Sequence, residues 1–160
     1  MSEETLSKSA QSVQAALLQK GLECKVVELA TSTRTAQEAA DSIGCTVAQI
    51  VKSLIFRTAQ TKEPILILAS GVNRVNEKKI EEYIGQPIEK ADAQFTRDVT
   101  GFAIGGVPPI GHVQPIQTYI DQDLLSFEEL WAAAGTPYAV FCLHSADLQS
   151  LTNGKVISIS

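Results

Sequence analysis

The sequence predicts an α+β domain organised around a mixed, mostly antiparallel sheet. Three observations lead there. Apolar residues recur with two periods, near 3.6 in some stretches and 2 in others, so both helices and strands are present. The two kinds of segment follow one another without regular βαβ alternation, which disfavours a parallel doubly wound sheet. With 160 residues and no visible repeat or linker, the chain fits one domain over residues 1–160 with a single core.

Taken in order, Thr5 to Lys20 carries Leu6, Val13, Leu17 and Leu18 at helical spacing and stops before Gly21, as a helix ending on glycine does. Glu23 to Leu29 reads as a strand. Thr35 and Glu38 form a capping-box pattern ahead of a helix over Ala36 to Ile43, closed by Gly44. Thr46 to Val51 suits a helical turn, and Lys52 to Arg57 a strand. After the Glu63-Pro64 turn, Ile65 to Ser70 is nearly continuous in apolar residues, which implies burial on both faces. Asn76 can cap a helix over Glu77 to Ile84, closed by Gly85, with Lys78 and Lys79 on its solvated side. Pro87 to Glu89 suits a short strand, and Asp92 a cap for a brief helix through Arg97. Past Asp121 the signals conflict. Ser126 and Glu129 resemble a capping box ahead of the helix-prone Leu130 to Ala134, yet Gly135-Thr136-Pro137 is a turn and Tyr138 to Leu143 is strand-like. Asp147 to Leu151 suits a helix, Asn153-Gly154 a turn, and Val156 to Ile159 a last strand.

Composition narrows the function classes. Hydrophobic residues make up 44% and charged residues 19%, a globular balance. The net charge of −5 argues against broad binding of duplex DNA, which needs a basic face. Met1 to Glu4 is polar and acidic, unlike a secretory signal, and the apolar runs are too short to cross a bilayer; a soluble, cytoplasmic protein is expected. Cys24, Cys45 and Cys142 lie far apart without metal-ligand spacing and read as buried thiols, so neither a metal nor a cofactor is expected.

The stretch with most chemical content runs from Thr100 to Asp121. It holds Gly105, Gly106, Pro108, Pro109 and Gly111, then His112 and Pro115, between the apolar runs Phe102 to Ile104 and Ile116 to Ile120, and reads as a stiff loop between strands. Glycine leaves backbone N–H groups bare and proline stiffens the path between them. Such a loop can offer donors to a phosphate, a carboxylate or a developing oxyanion, or it can serve only as a tight turn. Lys52 at a strand start reads either as a solvated end or as a point charge for a phosphate or carbonyl oxygen. Ser70 and Asn73 could line a pocket or only bond at a strand end. His112 could act as a base on water or cap the loop.

Four ordered motifs give a resemblance. They are Val51 to Leu54 (VKSL), Ser70 leading to Glu77-Lys78-Lys79, Thr100 to Gly111 (TGFAIGGVPPIG), and Ile120-Asp121. Together the chain resembles the YbaK family of aminoacyl-tRNA deacylases, related to the editing domain of prolyl-tRNA synthetase. The resemblance implies a strongly curved, barrel-like mixed sheet with helices outside. It also implies a hairpin of Phe127 to Ala134 with Tyr138 to Leu143, against the local helix propensity. The implied reaction is hydrolysis of the ester joining a wrong amino acid, a small one such as Ala, Ser, Thr or Cys, to a tRNA, with tRNA-Pro a candidate carrier and water as the nucleophile. Lys52 would hold a phosphate or substrate oxygen, and Gly105, Gly106 and Pro109 would set backbone amides near the ester. Ser70, Asn73, Thr100, Gly101, Pro108, Gly111 and His112 would contact substrate. Pro108 and His112 depart from the cysteinyl-tRNA deacylase pattern, where a serine and a polar amide stand. The implied partners are the 3′ end of an aminoacyl-tRNA and a synthetase or elongation factor. The alternative is a module of the same fold that binds such an end without turnover.

Overall fold

The computed structural model describes residues 6–160. The expected polar start at Met1 to Glu4, and Thr5 of the first predicted helix, lie outside the described residues. In chain order the elements are α1 (Lys8–Gln19), β1 (Val27–Glu28), α2 (Ala36–Ile43), β2 (Ile50–Thr58), β3 (Pro64–Ser70), α3 (Glu77–Ile84), β4 (Ile88–Lys90), α4 (Ala93–Thr100), β5 (Gln117–Asp121), β6 (Glu129–Ala133), β7 (Ala139–His144), α5 (Ser145–Thr152) and β8 (Lys155–Ile157). Short 3₁₀ turns precede β2 and β6.

Among the described residues the strands form one eight-stranded sheet in the order β1-β7-β6-β2-β3-β5-β8, with β4 paired to β2 off that path. Four ladders are antiparallel (β1/β7, β2/β3, β2/β4, β6/β7) and three parallel (β2/β6, β3/β5, β5/β8). The sheet is mixed and mostly antiparallel, as expected. It does not close into a barrel, since β1 and β8 lie at opposite ends of the path.

β3 carries the core on both sides, as its unbroken apolar run requires. Leu66 and Leu68 join one cluster, with α1, α5 and Phe102, while Ile65, Ile67 and Ala69 join another with Ile80 of α3. α1 buries Ala10, Val13 and Leu17, and Ser7 caps it by accepting from the Ala10 N–H. The caps read from the sequence at Thr35, Asn76 and Asp92 all accept from the third N–H of their helices. At Leu130–Ala134 tertiary packing overrides propensity. Leu130, Ala132 and Ala134 are fully buried while Trp131 and Ala133 are only partly so, a period of two that a helix could not satisfy. β6 therefore pairs with β7 from Glu129↔His144 to Ala133↔Val140.

Several expectations are corrected. The strand expected over Glu23 to Leu29 shortens to two residues, because Val26 N–H and the Cys24 carbonyl are taken by the Gln14 side chain of α1. The glycine–proline loop lies between helix α4 and strand β5, not between strands, because Phe102 packs into the core without a sheet partner. The three cysteines are free and partly exposed rather than buried. Lys79 is not purely solvated, since its ammonium bonds the Ser158 hydroxyl at 2.7 Å. No helix among the described residues is long and apolar enough to cross a membrane.

Candidate active site

β2 is the longest strand, and its two edges differ. Along β3 it pairs without a break from Val51↔Ser70 to Arg57↔Pro64. On the other edge β6 covers only Ile50 and Val51, and β4 only Phe56 to Thr58. Between them the strand edge has no strand partner among the described residues. Gly71 N–H donates to the Ile50 carbonyl on the β3 side, and Ala91 N–H to the Ile55 carbonyl on the other. By the alternation of an antiparallel ladder, the peptide groups of Ser53 therefore face the gap.

Two cavities meet at this gap and share Lys52, Ser53, Leu54, Ile104, Gly105 and Val107 in their walls. The first, of about 430 Å³, is largely apolar, with Ala36, Ala39, Ala132 and Ala133 beside the larger Ile43, Ile50 and Trp131, and with Arg34 in its wall. The second, of about 530 Å³, is more polar, with Arg74, Glu77, Lys90 and Thr96 over Ile55 and Phe56.

Lys52 points from β2 toward the turn that follows β3. Its ammonium donates to the Asn73 carbonyl at 2.6 Å. That turn is held by the buried Asp121 carboxylate, which accepts from Ser70 N–H at 3.0 Å and from the Asn73 side-chain amide at 2.8 Å. The same amide reaches Asp123 at 2.8 Å. Burial lowers the Lys52 pKa, the nearby Arg74 charge lowers it further, and Asp121 pulls the other way. Ser70 itself points away from the cavities, its hydroxyl donating to the Ala48 carbonyl. Ser70 and Asn73 thus hold the ground on which Lys52 stands.

The loop brings Gly105 to the other side of the gap. Gly106 N–H donates to the Ala103 carbonyl at 3.0 Å, closing a turn whose third residue, Gly105, has φ +96°. Only glycine adopts that conformation without strain. Gly106 is needed for closeness instead: its carbonyl accepts from Gly135 N–H at 2.9 Å, and a Cβ on it would lie 2.8 Å from the Thr136 backbone. Its peptide groups are thereby engaged within the fold, whereas Gly105 N–H has no backbone partner among the described residues.

The other expected site residues lie elsewhere. Thr100 is fully buried, and its hydroxyl donates to the Thr96 carbonyl and accepts from Phe102 N–H, finishing α4 at Gly101. His112 bonds the Pro108 carbonyl at 2.8 Å across the loop. Burial holds its pKa below the ordinary histidine value against the pull of that carbonyl. With Pro109 and Gly111 it lines a third, shallow concavity beside Lys20 and Lys155. The structure therefore joins Lys52 and Gly105, supports them with Ser70 and Asn73, and sets Pro109, Gly111 and His112 apart.

The family model of the aminoacyl-tRNA editing domain matches residues 30–151, which contain both β2 and the loop. The chain belongs to that family. It is 31% identical over 148 residues, 92% of this chain and 94% of the other, to the uncharacterized protein YwhH of Bacillus subtilis. It is 25% identical over 127 residues, 79% of this chain and 77% of the other, to a candidate Cys-tRNA(Pro)/Cys-tRNA(Cys) deacylase, EbsC, of Enterococcus faecalis. A solved structure of a candidate trans-editing enzyme for prolyl tRNA synthetase superposes with a TM-score of 0.92 at 47% identity, covering 98% of this chain and 99% of that one. The fold that the four motifs implied is the fold of this editing domain.

Two features of this editing domain were missed in the sequence. Ser53 has the one buried side-chain oxygen without a hydrogen-bond partner among the described residues. A signal was present: Val51-x-Ser53-x-Ile55 sets a hydroxyl on a strand face whose neighbours are core. Arg34, whose Cγ would lie 3.1 Å from a Cβ on Gly105, gave no local signal, being brought to the loop from far along the chain.

Proposed function

We propose that the protein is a trans-editing hydrolase that removes a small, wrongly attached amino acid, of the size of Ala, Ser, Thr or Cys, from a tRNA, with tRNA-Pro the carrier its structural neighbour suggests. The observation that carries the reading is the meeting of the Lys52 ammonium and the bare Gly105 amide at an unpaired strand edge between two cavities. The alanine-walled cavity suits a small side chain, and the more polar one suits the terminal nucleotide.

In this reading the ester carbonyl lies at the gap. Water adds to the carbonyl carbon, and the negative charge gathering on the carbonyl oxygen is stabilised by Lys52 and Gly105 N–H. The bond to the ribose oxygen then breaks, the free amino acid keeps the hydroxyl of the water, and its proton leaves on the ribose. An aminoacyl ester is already activated, so positioning and charge stabilisation carry most of the work. Glu77 is the sole carboxylate, and no histidine lines either cavity among the described residues. That favours the adjacent ribose hydroxyl as the proton carrier. The net charge of −5 favours delivery of the tRNA by a synthetase partner.

A panel of tRNAs charged with alanine, serine, threonine, cysteine and proline tests the reading. Selective release of one small amino acid is expected. Lys52→Ala should cost about 100-fold or more in kcat/KM with an unchanged melting temperature. Tight binding of an uncleaved ester by the native protein would turn the reading to a non-hydrolysing module.

A further inference from the structure

We propose that the cavity beyond Lys52 is a phosphate subsite, in which Arg74 and Lys90 hold the 5′-phosphate of the nucleotide whose ester lies at the gap. The inference rests on the deacylase reading and adds to it the direction in which the nucleic acid enters.

Three cations reach this cavity from separate segments: Lys52 from β2, Arg74 from the turn after β3, and Lys90 from the end of β4. One carboxylate, Glu77, lines it with them. The chain as a whole has 18 acidic and 13 basic residues, so three cations to one carboxylate reverses the overall balance. None of the three belongs to an ion pair among the described residues, where the salt bridges are Arg57–Glu89 and Lys62–Glu89. Arg74 is close enough that its charge disfavours the Lys52 ammonium, against the counter-pull of Asp121. Three positive charges around a concavity that holds one carboxylate, Glu77, leave an excess of positive charge, and an anion placed among them offsets it. A guanidinium fork matches two phosphate oxygens, and a lysine adds a point charge. The apolar floor of Ile55 and Phe56 leaves room for a sugar or base beside the phosphate.

The other concavities fit an anion less well. The alanine-walled cavity has only Arg34 besides Lys52, and Arg34 packs against Gly105. The shallow concavity at His112 has Lys20, at the negative end of α1, and Lys155, 6.0 Å from the centre of the Tyr83 ring, but no arginine fork in its walls among the described residues.

The test compares adenosine with adenosine 5′-monophosphate as ligands of the full chain by calorimetry, alongside hydrolysis of the charged tRNA panel. The monophosphate should bind at least about tenfold more tightly. Arg74→Ala and Lys90→Ala should each bring the ratio toward one, while Lys78→Ala on the exposed side of α3 should not, with melting temperatures confirming that each variant is folded. Equal binding of the two ligands by a protein that hydrolyses charged tRNA would overturn the phosphate site and leave the deacylase reading standing. A preference for the monophosphate that survives both substitutions would also overturn it, and its loss in Lys155→Ala would move the anion to the shallow concavity. Preference without hydrolysis would keep the phosphate site and remove the deacylase; neither binding nor hydrolysis would remove both.

Discussion

Ile104–Val107 and Pro109–Pro115 belong to one glycine–proline loop and share its composition, yet their surroundings divide them. The first half lies across the unpaired edge of β2, its turn sealed by the Gly106 N–H to Ala103 bond and its Gly105 N–H without a backbone partner among the described residues. The second half folds over on itself, with His112 bonded to the Pro108 carbonyl, and faces a shallow concavity with no part in the gap. Composition marks both as stiff turns with exposed backbone. Whether such backbone can serve a reaction depends on what stands opposite: the first half faces Lys52 and the uncovered edge of β2, whereas the second faces an open concavity whose lysines, Lys20 and Lys155, stand away from that edge.

The contrast can be broken at single residues. Within the loop Gly105→Ala should cause the largest change, about 100-fold in kcat/KM, because a Cβ at φ +96° strains the turn and displaces the amide. A melting curve alongside the kinetics separates loss of the site from loss of the fold. Gly106→Ala should act on stability first: the new Cβ would crowd the Thr136 backbone, costing about 1–3 kcal/mol, read from urea denaturation. If it left stability unchanged while abolishing hydrolysis, Gly106 would belong with Gly105 as a substrate donor. Ser53→Ala should raise KM by about tenfold with stability unchanged or slightly improved, since the buried hydroxyl has no partner among the described residues.

The smallest effect is expected in the second half. His112→Gln should change kcat/KM by less than about threefold, for a residue whose ring is engaged with the Pro108 carbonyl away from the gap. Its signature lies in stability against pH. The folded protein holds His112 neutral by burial, below its ordinary pKa. As pH falls through about 6.5 the unfolded chain takes up a proton that the folded chain does not, so stability should decline until the folded pKa is reached. His112→Gln should flatten that decline in melts taken from pH 7.5 to 5. An activity loss of 100-fold instead would return His112 to the reaction and erase the distinction between the halves.

Much of the site was legible locally. The strand start at Lys52, the caps at Thr35, Asn76 and Asp92, and the shaped loop each follow from residue types at short spacing. The sequence leaves Ser70 and Asn73 between pocket walls and strand-end hydrogen bonding. Their actual place, under Lys52 and bound to Asp121, depends on a parallel ladder between β3 and β5 that no local pattern announces. Thr100 and Gly101 carry the same motif as Gly105 but spend their polar groups on ending α4. A motif therefore reports that a loop has a fixed shape without saying which of its members face a ligand.

The sequence by itself determined the α+β class, most helix boundaries and the double-sided burial of β3, and set Lys52 at a strand start and Gly105 in a shaped loop. These depend on periodicity, capping and the special backbone of glycine, which act within a few residues. Only the tertiary structure decided that Leu130–Ala134 is a strand, that β2 is left uncovered between β6 and β4, and that Arg34, Arg74 and Lys90 gather around the uncovered stretch. Those features come from pairings between segments far apart in the chain, where burial of alternate side chains outweighs local propensity and where charges meet only once the sheet has formed.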